Sequence, residues 1–290
     1  MPARYLRQRD IDRRAWDEAV ARDATRLPYG HSWWLDQASV GRWDGIVLDD
    51  YRAVLPLPRG RFWARTQVQR PFFTQQCGPF GKLEDGDLGK MIAQLPARLA
   101  TFDLGLAETA DPAGVPPTFR AERRTNYVLP LSADYASLRA GYRKELVRKL
   151  KPYAPAAPAP CLPGVVARVH AATVGDKANL KRRHYRRAIR LMQAALDHRA
   201  GLCLHLTDEA GDLLAVVFLL HYRRRLVNLL PASTPVGYER AGMARLLDGV
   251  VRQYGPTCDL LDFEGSDVPG VARFFRSFGA TDRGYTRLYR

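Results

Sequence analysis

Residues able to hold an anion or move a proton cluster in a few short stretches of this sequence. PASTPVGYERAGMARL, 231–246, leads from an apolar run into a helical pattern and contains Ser233, Thr234, Gly237, Glu239, Gly242 and Ala244. Small side chains at a helix start leave backbone N–H groups accessible, and those groups carry partial positive charge suited to phosphate or carboxylate. Thr234 and Pro235 equally suit an ordinary cap and first turn, so a plain strand-to-helix turn stays open beside the ligand reading. Further on, LDFEGS, 261–266, places Asp262 and Glu264 two apart near a strand end, hence on one face if both are extended. As candidate catalytic groups, one takes a proton from an attacking amine or holds an ammonium. The alternative is a solvated strand end or partners for arginines.

Two more groups are candidates for binding substrate. Thr74, Gln75 and Gln76 in PFFTQQCGPF, 71–80, supply hydrogen-bonding side chains next to Phe72 and Phe73, which suit a core. Arg124, Asn126 and Tyr127 open the middle of the chain, where they position a polar substrate or simply start a strand. Other chemistries lack their parts. The six histidines are scattered, and there is no GxSxG elbow, P-loop or HExxH, which removes the support for a hydrolase or kinase. Cys77, Cys161, Cys203 and Cys258 form no CxxC pair and no zinc-type spacing, so they read as reduced structural thiols, and no metal is expected.

The elements that must position these residues occur twice. WDGIVLDDYRAVLPLP, 43–58, reads as a hairpin about Asp49-Asp50; a strand, a helix near 87–100 and a strand near 101–109 follow. In the second half, 201–234 reads as three strands with turns at 208–211 and 223–225. A helix follows with Met243, Leu246, Leu247, Val250, Val251 and Tyr254 on one face, and then the strand 258–266. Repetition of strand, strand, strand, helix, strand implies an internal duplication. The expected fold class is therefore α/β (α+β): two tandem units, each a mixed β-sheet with helices packed on it. The units are placed at 1–130 and 131–290, with a basic helical insert at the start of the second. That insert has a helix capped by Asp134 and carrying Leu138, Tyr142, Leu146 and Leu150, a proline-rich linker at 153–164, and a basic helix near 176–199. A last helix carries Val271, Phe274, Phe275 and Phe278, with Asp267 near its start, and a terminal strand spans Tyr285 to Tyr289.

The net charge is +15 over 290 residues. Only 7 of the 45 basic residues are lysine, so compositional bias explains arginine over lysine but not the missing counter-charge. An anionic partner is expected: a nucleic acid, a nucleotide-linked substrate or a membrane surface. No signal peptide is visible, and the longest apolar run, Leu213 to Leu220, is too short to cross a bilayer, so a cytoplasmic location is expected.

The segment E-x-x-G-x-A, Glu239 to Ala244, set between a strand and an amphipathic helix, resembles the Q/R-x-x-G-x-G/A cofactor motif of the GNAT acyltransferases. In that family the backbone of the motif cradles the pyrophosphate of acyl-coenzyme A. VPGVARFFRSFGA, 268–280, resembles the family's last helix, with Phe275 where many members carry a general-acid tyrosine. RTNYVLPL, 124–131, and the doubled unit resemble the two-unit Fem type and its uncharacterised relatives; Fem proteins transfer amino acids from aminoacyl-tRNA to cell-wall precursors. The resemblance implies transfer of an acyl or aminoacyl group to an amine on a small molecule or peptide. The donor is either acyl-coenzyme A or aminoacyl-tRNA, and tRNA is a possible partner. A non-catalytic nucleic-acid-binding protein using the basic central helices is the alternative.

Overall fold

The computed structural model describes residues 2–62, 65–176, 179–265 and 268–290. It divides the chain into one unit made of Met1–Thr125 with Gly284–Arg290 and another made of Asn126–Arg283. Its strands, in chain order, begin with β1 (Arg4–Arg7), β2 (Trp43–Leu48), β3 (Ala53–Phe62), β4 (Arg65–Gln69), β5 (Phe80–Gly81), β6 (Leu99–Gly105) and β7 (Arg120–Arg124). There follow β8 (Tyr127–Pro130), β9 (Ala159–Pro160), β10 (Gly201–Thr207), β11 (Leu213–Tyr222), β12 (Arg225–Asn228), β13 (Ala232–Ser233), β14 (Leu260–Asp262), β15 (Thr281–Asp282) and β16 (Tyr285–Tyr289).

In the first unit the sheet order is β1-β2-β3-β4-β6-β16-β7, with β5 paired to β3. Among its described residues β4 and β6 are the parallel pair. The helices α1 (Arg13–Arg22), α2 (Ser32–Ala38) and α3 (Asp87–Ile92) belong to this unit. Asp12 caps α1 by accepting from the N–H groups of Arg14 and Ala15. Three buried tryptophans anchor the core, each with its indole N–H bonded: Trp16 to Gly30 O at 2.8 Å, Trp34 to Thr74 Oγ1 at 2.9 Å, and Trp43 to Asp36 Oδ1 at 2.8 Å. Such indoles bury a large apolar body and still satisfy their one donor.

The second unit repeats the plan, with the order β15-β8-β14-β12-β11-β10-β9 and β13 paired to β11. Here β12 and β14 are the parallel pair. Its helices are α4 (Tyr135–Ala140), α5 (Lys144–Leu150), α6 (Pro163–Thr173), α7 (Arg182–Asp197), α8 (Pro235–Glu239), α9 (Gly242–Tyr254) and α10 (Pro269–Ser277). Because side chains alternate along a strand, the sheet has two apolar faces. Leu204, Leu219, Leu226, Leu261 and Phe263 share one with Leu246, Leu247, Val250 and Val251 of α9 and with Leu146 and Leu150 of α5. Each of those α9 side chains contributes roughly 1.5–3 kcal/mol by leaving water. Cys203 lies on the other face, its Sγ 4.0 Å from Met192 Sδ of α7.

The duplicated mixed sheets match the expected fold class. The boundary at 130/131 does not coincide with the observed one. It falls at the end of β8, which pairs with β14 and β15 of the second unit, while β16 pairs with β6 and β7 of the first. Each unit completes its sheet with a strand that follows directly, in sequence, a strand of the other. Periodicity cannot reveal such an exchange, because β8 and β16 carry the same pattern whichever sheet they join. The single helix expected after Asp134 is two, since the chain turns at Gly141 and the Arg143 N–H bonds to Ser277 O at 2.8 Å. Helix α6 falls on the end of the expected linker at 153–164 and on residues after it for which the sequence pattern gives no element. Asp267 lies outside the described residues.

Candidate functional site

Strands β12 and β14 pair over Arg225–Leu260, Leu226–Leu261 and Val227–Asp262, and there the pairing stops. Beyond it, β14's continuation follows β8: Phe263 N–H donates to Tyr127 O at 2.8 Å and Tyr127 N–H to Glu264 O at 3.1 Å. The continuation of β12 follows β11 instead. The N–H groups of Leu229 and Leu230 both donate to Phe218 O, at 3.1 and 3.3 Å, which is a bulge, and Ala232 and Ser233 then pair with Val216 and Ala215. Among the described residues no backbone hydrogen bond joins 228–234 to 263–265. The sheet therefore opens above Val227–Asp262.

Asn228 is the first residue past the last paired row. It is buried, on the α9 face of the sheet opposite Leu219, and neither polar atom of its amide has a partner among the described residues. A buried amide without partners is rare and calls for an explanation. On the other flank of β14, at the start of β8, Asn126 is fully buried with the same deficit. Sequence reasoning selected Asn126 and missed Asn228. The available signal was a lone amide in the otherwise apolar run LVNLL, 226–230.

Asp262 and Glu264 do not act as a same-face pair. The strand ends at Asp262, and Glu264 has φ 59°, so strand alternation no longer applies. Asp262 is buried, with Oδ2 2.5 Å from an equally buried Arg225 nitrogen and Oδ1 accepting the Glu264 N–H at 2.8 Å. Its charge is compensated, which removes it as a free proton acceptor and makes it the post that fixes the backbone of Glu264. Removing either partner of such a pair leaves an uncompensated buried charge.

The stretch 231–246 divides into parts of different use. Ser233 is buried in β13. Thr234 caps α8: its Oγ1 accepts the Gly237 N–H at 3.0 Å and donates to Leu213 O at 2.7 Å. Gly237 and Gly242 are packing glycines, since a Cβ on Gly237 would stand 1.8 Å from Leu214 O and one on Gly242 2.9 Å from Leu214 Cβ. Helix α8 takes up the N–H groups of Gly237, Tyr238 and Arg240. That leaves the start of α9, where Ala241 at φ 52° turns the chain and Arg245 is the first residue to bond back, to Ala241 O at 2.9 Å. The N–H groups of Gly242, Met243 and Ala244 precede it and have no intrahelical acceptor. Glu239 is exposed at the end of α8. Three donors at the start of α9 therefore stay open to an anionic group, while the donors of the loop before them are taken and the exposed Glu239 stands beside them.

Phe275, in the place of the family's tyrosine, is core: its ring stacks on Phe263 with centroids 4.9 Å apart. In the first unit, Thr74 Oγ1 accepts the Trp34 indole, Gln76 Oε1 accepts the Glu108 N–H at 2.7 Å, and the Gln76 amide donates to Gln75 Oε1 at 3.3 Å. The expected binding trio is an internal network. Arg124 pairs with Glu122 at 3.0 Å, and Tyr127 is buried against Phe275. Among the described residues no cluster could hold a metal ion, and the Cys77 thiol is pushed up to about 12 by burial, which keeps it unreactive.

By sequence the chain matches no family model and no curated protein. By structure it is similar to FemX, with 10% identity, a TM-score of 0.71 and 96% of each chain covered. It is also similar to a tandem GNAT protein from the clavulanic acid biosynthesis pathway, with 13% identity, a TM-score of 0.55, and coverage of 99% of this chain and 98% of that one. L-PGS from Bacillus licheniformis matches with 13% identity, a TM-score of 0.53, and coverage of 93% and 92%. At such identities the likeness establishes the fold, two tandem GNAT-like units of the FemX kind. No helix among the described residues is long and apolar enough to cross a membrane.

Proposed function

We propose that this chain transfers an aminoacyl group from tRNA to an amine, with the acyl carbonyl seated where the second sheet opens. The observation that carries this reading is the parting of β12 and β14 above Val227–Asp262, beside a buried amide that has no partner among the described residues. The acidic Glu239 beside the start of α9 is unfavourable to a pyrophosphate and so favours an ester of tRNA over a thioester of coenzyme A. In the reaction the amine nitrogen attacks the carbonyl carbon. A C–N bond forms, the ester C–O bond breaks, and the ribose oxygen leaves with a proton that the amine gives up. The Asn228 amide N–H donates to the carbonyl oxygen as it gains charge. Glu264, its backbone fixed by Asp262, carries the proton from amine to leaving oxygen. Most of the acceleration comes from holding amine and ester together, so a single proton carrier suffices. Asn126 holds polar groups of the acceptor, a small molecule or peptide.

The test is an incubation with a pool of labelled aminoacyl-tRNAs and amine-bearing peptides, scored for label in a base-stable amide. Amide formation is expected, falling at least about tenfold in Asn228→Leu. Ester loss at the rate of buffer alone contradicts the reading. Transfer from acetyl-coenzyme A in place of tRNA overturns the choice of donor.

A further inference from the structure

The two basic helices of the central region do not form one surface. Helix α5 buries Leu146 and Leu150 on the α9 face of the second sheet, whereas α7 packs Met192 against Cys203 on the opposite face. A single partner therefore cannot use both as one patch, and their charges differ in setting. On α7, Lys181, Arg182, Arg183, Arg186 and Arg190 are exposed, and none has an ion-pair partner among the described residues. Arg182, Arg186 and Arg190 recur every fourth residue and form a stripe rising about 6 Å per step. His184, between them, is held below the usual imidazole range by burial first and then by its other basic neighbours, Arg183, Arg187 and Lys181. Asp176, before the helix, is the acid nearest in sequence on that side, and Asp197 is the first acid within it.

Topology puts this stripe at the open end of the sheet. Strand β12 runs toward the opening, β11 is antiparallel to it, and β10 is antiparallel to β11, so β10 also runs toward the opening and begins at the far end. Helix α7 leads into β10 and lies along it in reverse: a Cβ on Gly201 would meet Ala195 at 2.9 Å, and Met192 reaches Cys203 further up. Its first turns are thus level with the opened end of the sheet, on the face opposite α9, and there the Tyr185 hydroxyl meets His170 Nδ1 of α6 at 2.9 Å.

We infer that the N-terminal half of α7 is a docking surface for the phosphate backbone of an RNA duplex, aligned so that the end of the strand reaches the opening. Arginine forks match phosphate oxygens, and a straight stripe of them follows a phosphate row. An anionic membrane is the less suitable partner. A surface-lying helix needs an apolar face turned to lipid, and the apolar face of α7, Tyr185, Ala188, Leu191, Met192 and Ala195, is buried in the fold. The surface rests on the transfer reading only for what the RNA brings; the cations stand there whatever the chemistry.

The experiment measures binding of unfractionated, uncharged tRNA across a salt series by fluorescence anisotropy, with folding of each variant checked by circular dichroism. The triple variant Arg182→Gln/Arg186→Gln/Arg190→Gln is expected to weaken binding at least about tenfold and to lower the slope of log K against log salt by roughly 2–3. The matching variant of α5, Lys144→Gln/Arg148→Gln/Lys149→Gln, is expected to stay within about twofold of wild type, as its cations lie outside the docking face. If wild type binds tRNA and the α7 variant binds equally well, the surface is overturned while the transfer reading stands. If wild type binds no tRNA, both the surface and the tRNA donor fall. If the α7 substitutions abolish binding to vesicles of phosphatidylglycerol and phosphatidylcholine while tRNA binding is unchanged, the face belongs to a membrane and the proposal is overturned.

Discussion

The two units share a parallel strand pair at the centre of the sheet, and they finish it in opposite ways. In the first, β4 pairs with β6 as far as Gln69–Asp103, and the chain then stays with its neighbour. Arg70 N–H donates to Asp103 O, Cys77 N–H to Gly105 O and Ala107 N–H to Gly78 O, and Gln75 O lies where a Cβ on Gly105 would be, 2.2 Å away. In the second unit the equivalent strands go separate ways after Val227–Asp262. The helix that follows has six residues in the first unit and 13 in the second. One copy of the duplicated fold has closed its central gap with chain and side-chain hydrogen bonds. The other has kept the gap and two buried amides without partners among the described residues. On the proposed reading, duplication supplies a scaffold from one copy and a site from the other.

The largest expected effect tests whether the open end depends on its buried ion pair. Arg225→Met leaves Asp262 uncompensated and is expected to cost about 3–5 kcal/mol in urea unfolding, while the double variant Arg225→Met/Asp262→Leu recovers most of it. An equally stable single variant would show that the pair does not hold the parting strands. Gly105→Ala then tests the closed end. Its Cβ collides with Gln75 O, and a loss of about 1–3 kcal/mol is expected in the same measurement, without effect on tRNA binding.

Acid is expected to act on the second unit through His170, whose imidazole burial pulls down to about 4. The unfolded chain takes up this proton near pH 6.5 and the folded chain only near 4, so stability is intact above 6.5 and falls as pH drops toward 4. The loss reaches at most about 3 kcal/mol and is expected to vanish in His170→Phe, which titration of urea midpoints checks. The smallest effects sharpen the contrast most. Gln76→Leu strips the Glu108 N–H of its acceptor and is expected to cost about 1–2 kcal/mol. Asn228→Leu removes an amide that bonds to nothing among the described residues, and is expected to be neutral or slightly stabilising while transfer collapses. Equal destabilisation by both would erase the distinction between a sealed and an open gap.

Much of this fold was legible from hydrophobic spacing: the hairpins, the helix with Leu246, Leu247, Val250 and Val251, and the order that repeats. The exchange of β8 and β16 was not, because strand pattern encodes which face is apolar and carries no information about which sheet is joined. At the site, Asn126 could be singled out as a polar residue at a strand start. Asn228 could not be valued without knowing that its strand lacks a parallel neighbour there. Asp262 and Glu264 do not share the face their spacing implied, because two-residue spacing gives a common face only in extended chain, and Glu264 is left-handed. Thr74, Gln75 and Gln76 bond to neighbours within their unit, and their types alone could not tell such a network from a binding site, because hydrogen-bonding side chains serve either. The glycines of 237–242 read as room for a ligand and prove to be room for Leu214.

Hydrogen exchange with bound donor tests the central contrast most directly. With a hydrolysis-resistant aminoacyl-tRNA analogue present, the amides of Gly242, Met243 and Ala244 and of 229–234 are expected to exchange at least about tenfold more slowly, with 70–78 unchanged. Protection over 70–78 instead, or none at the start of α9, would contradict the assignment of the site to the second unit.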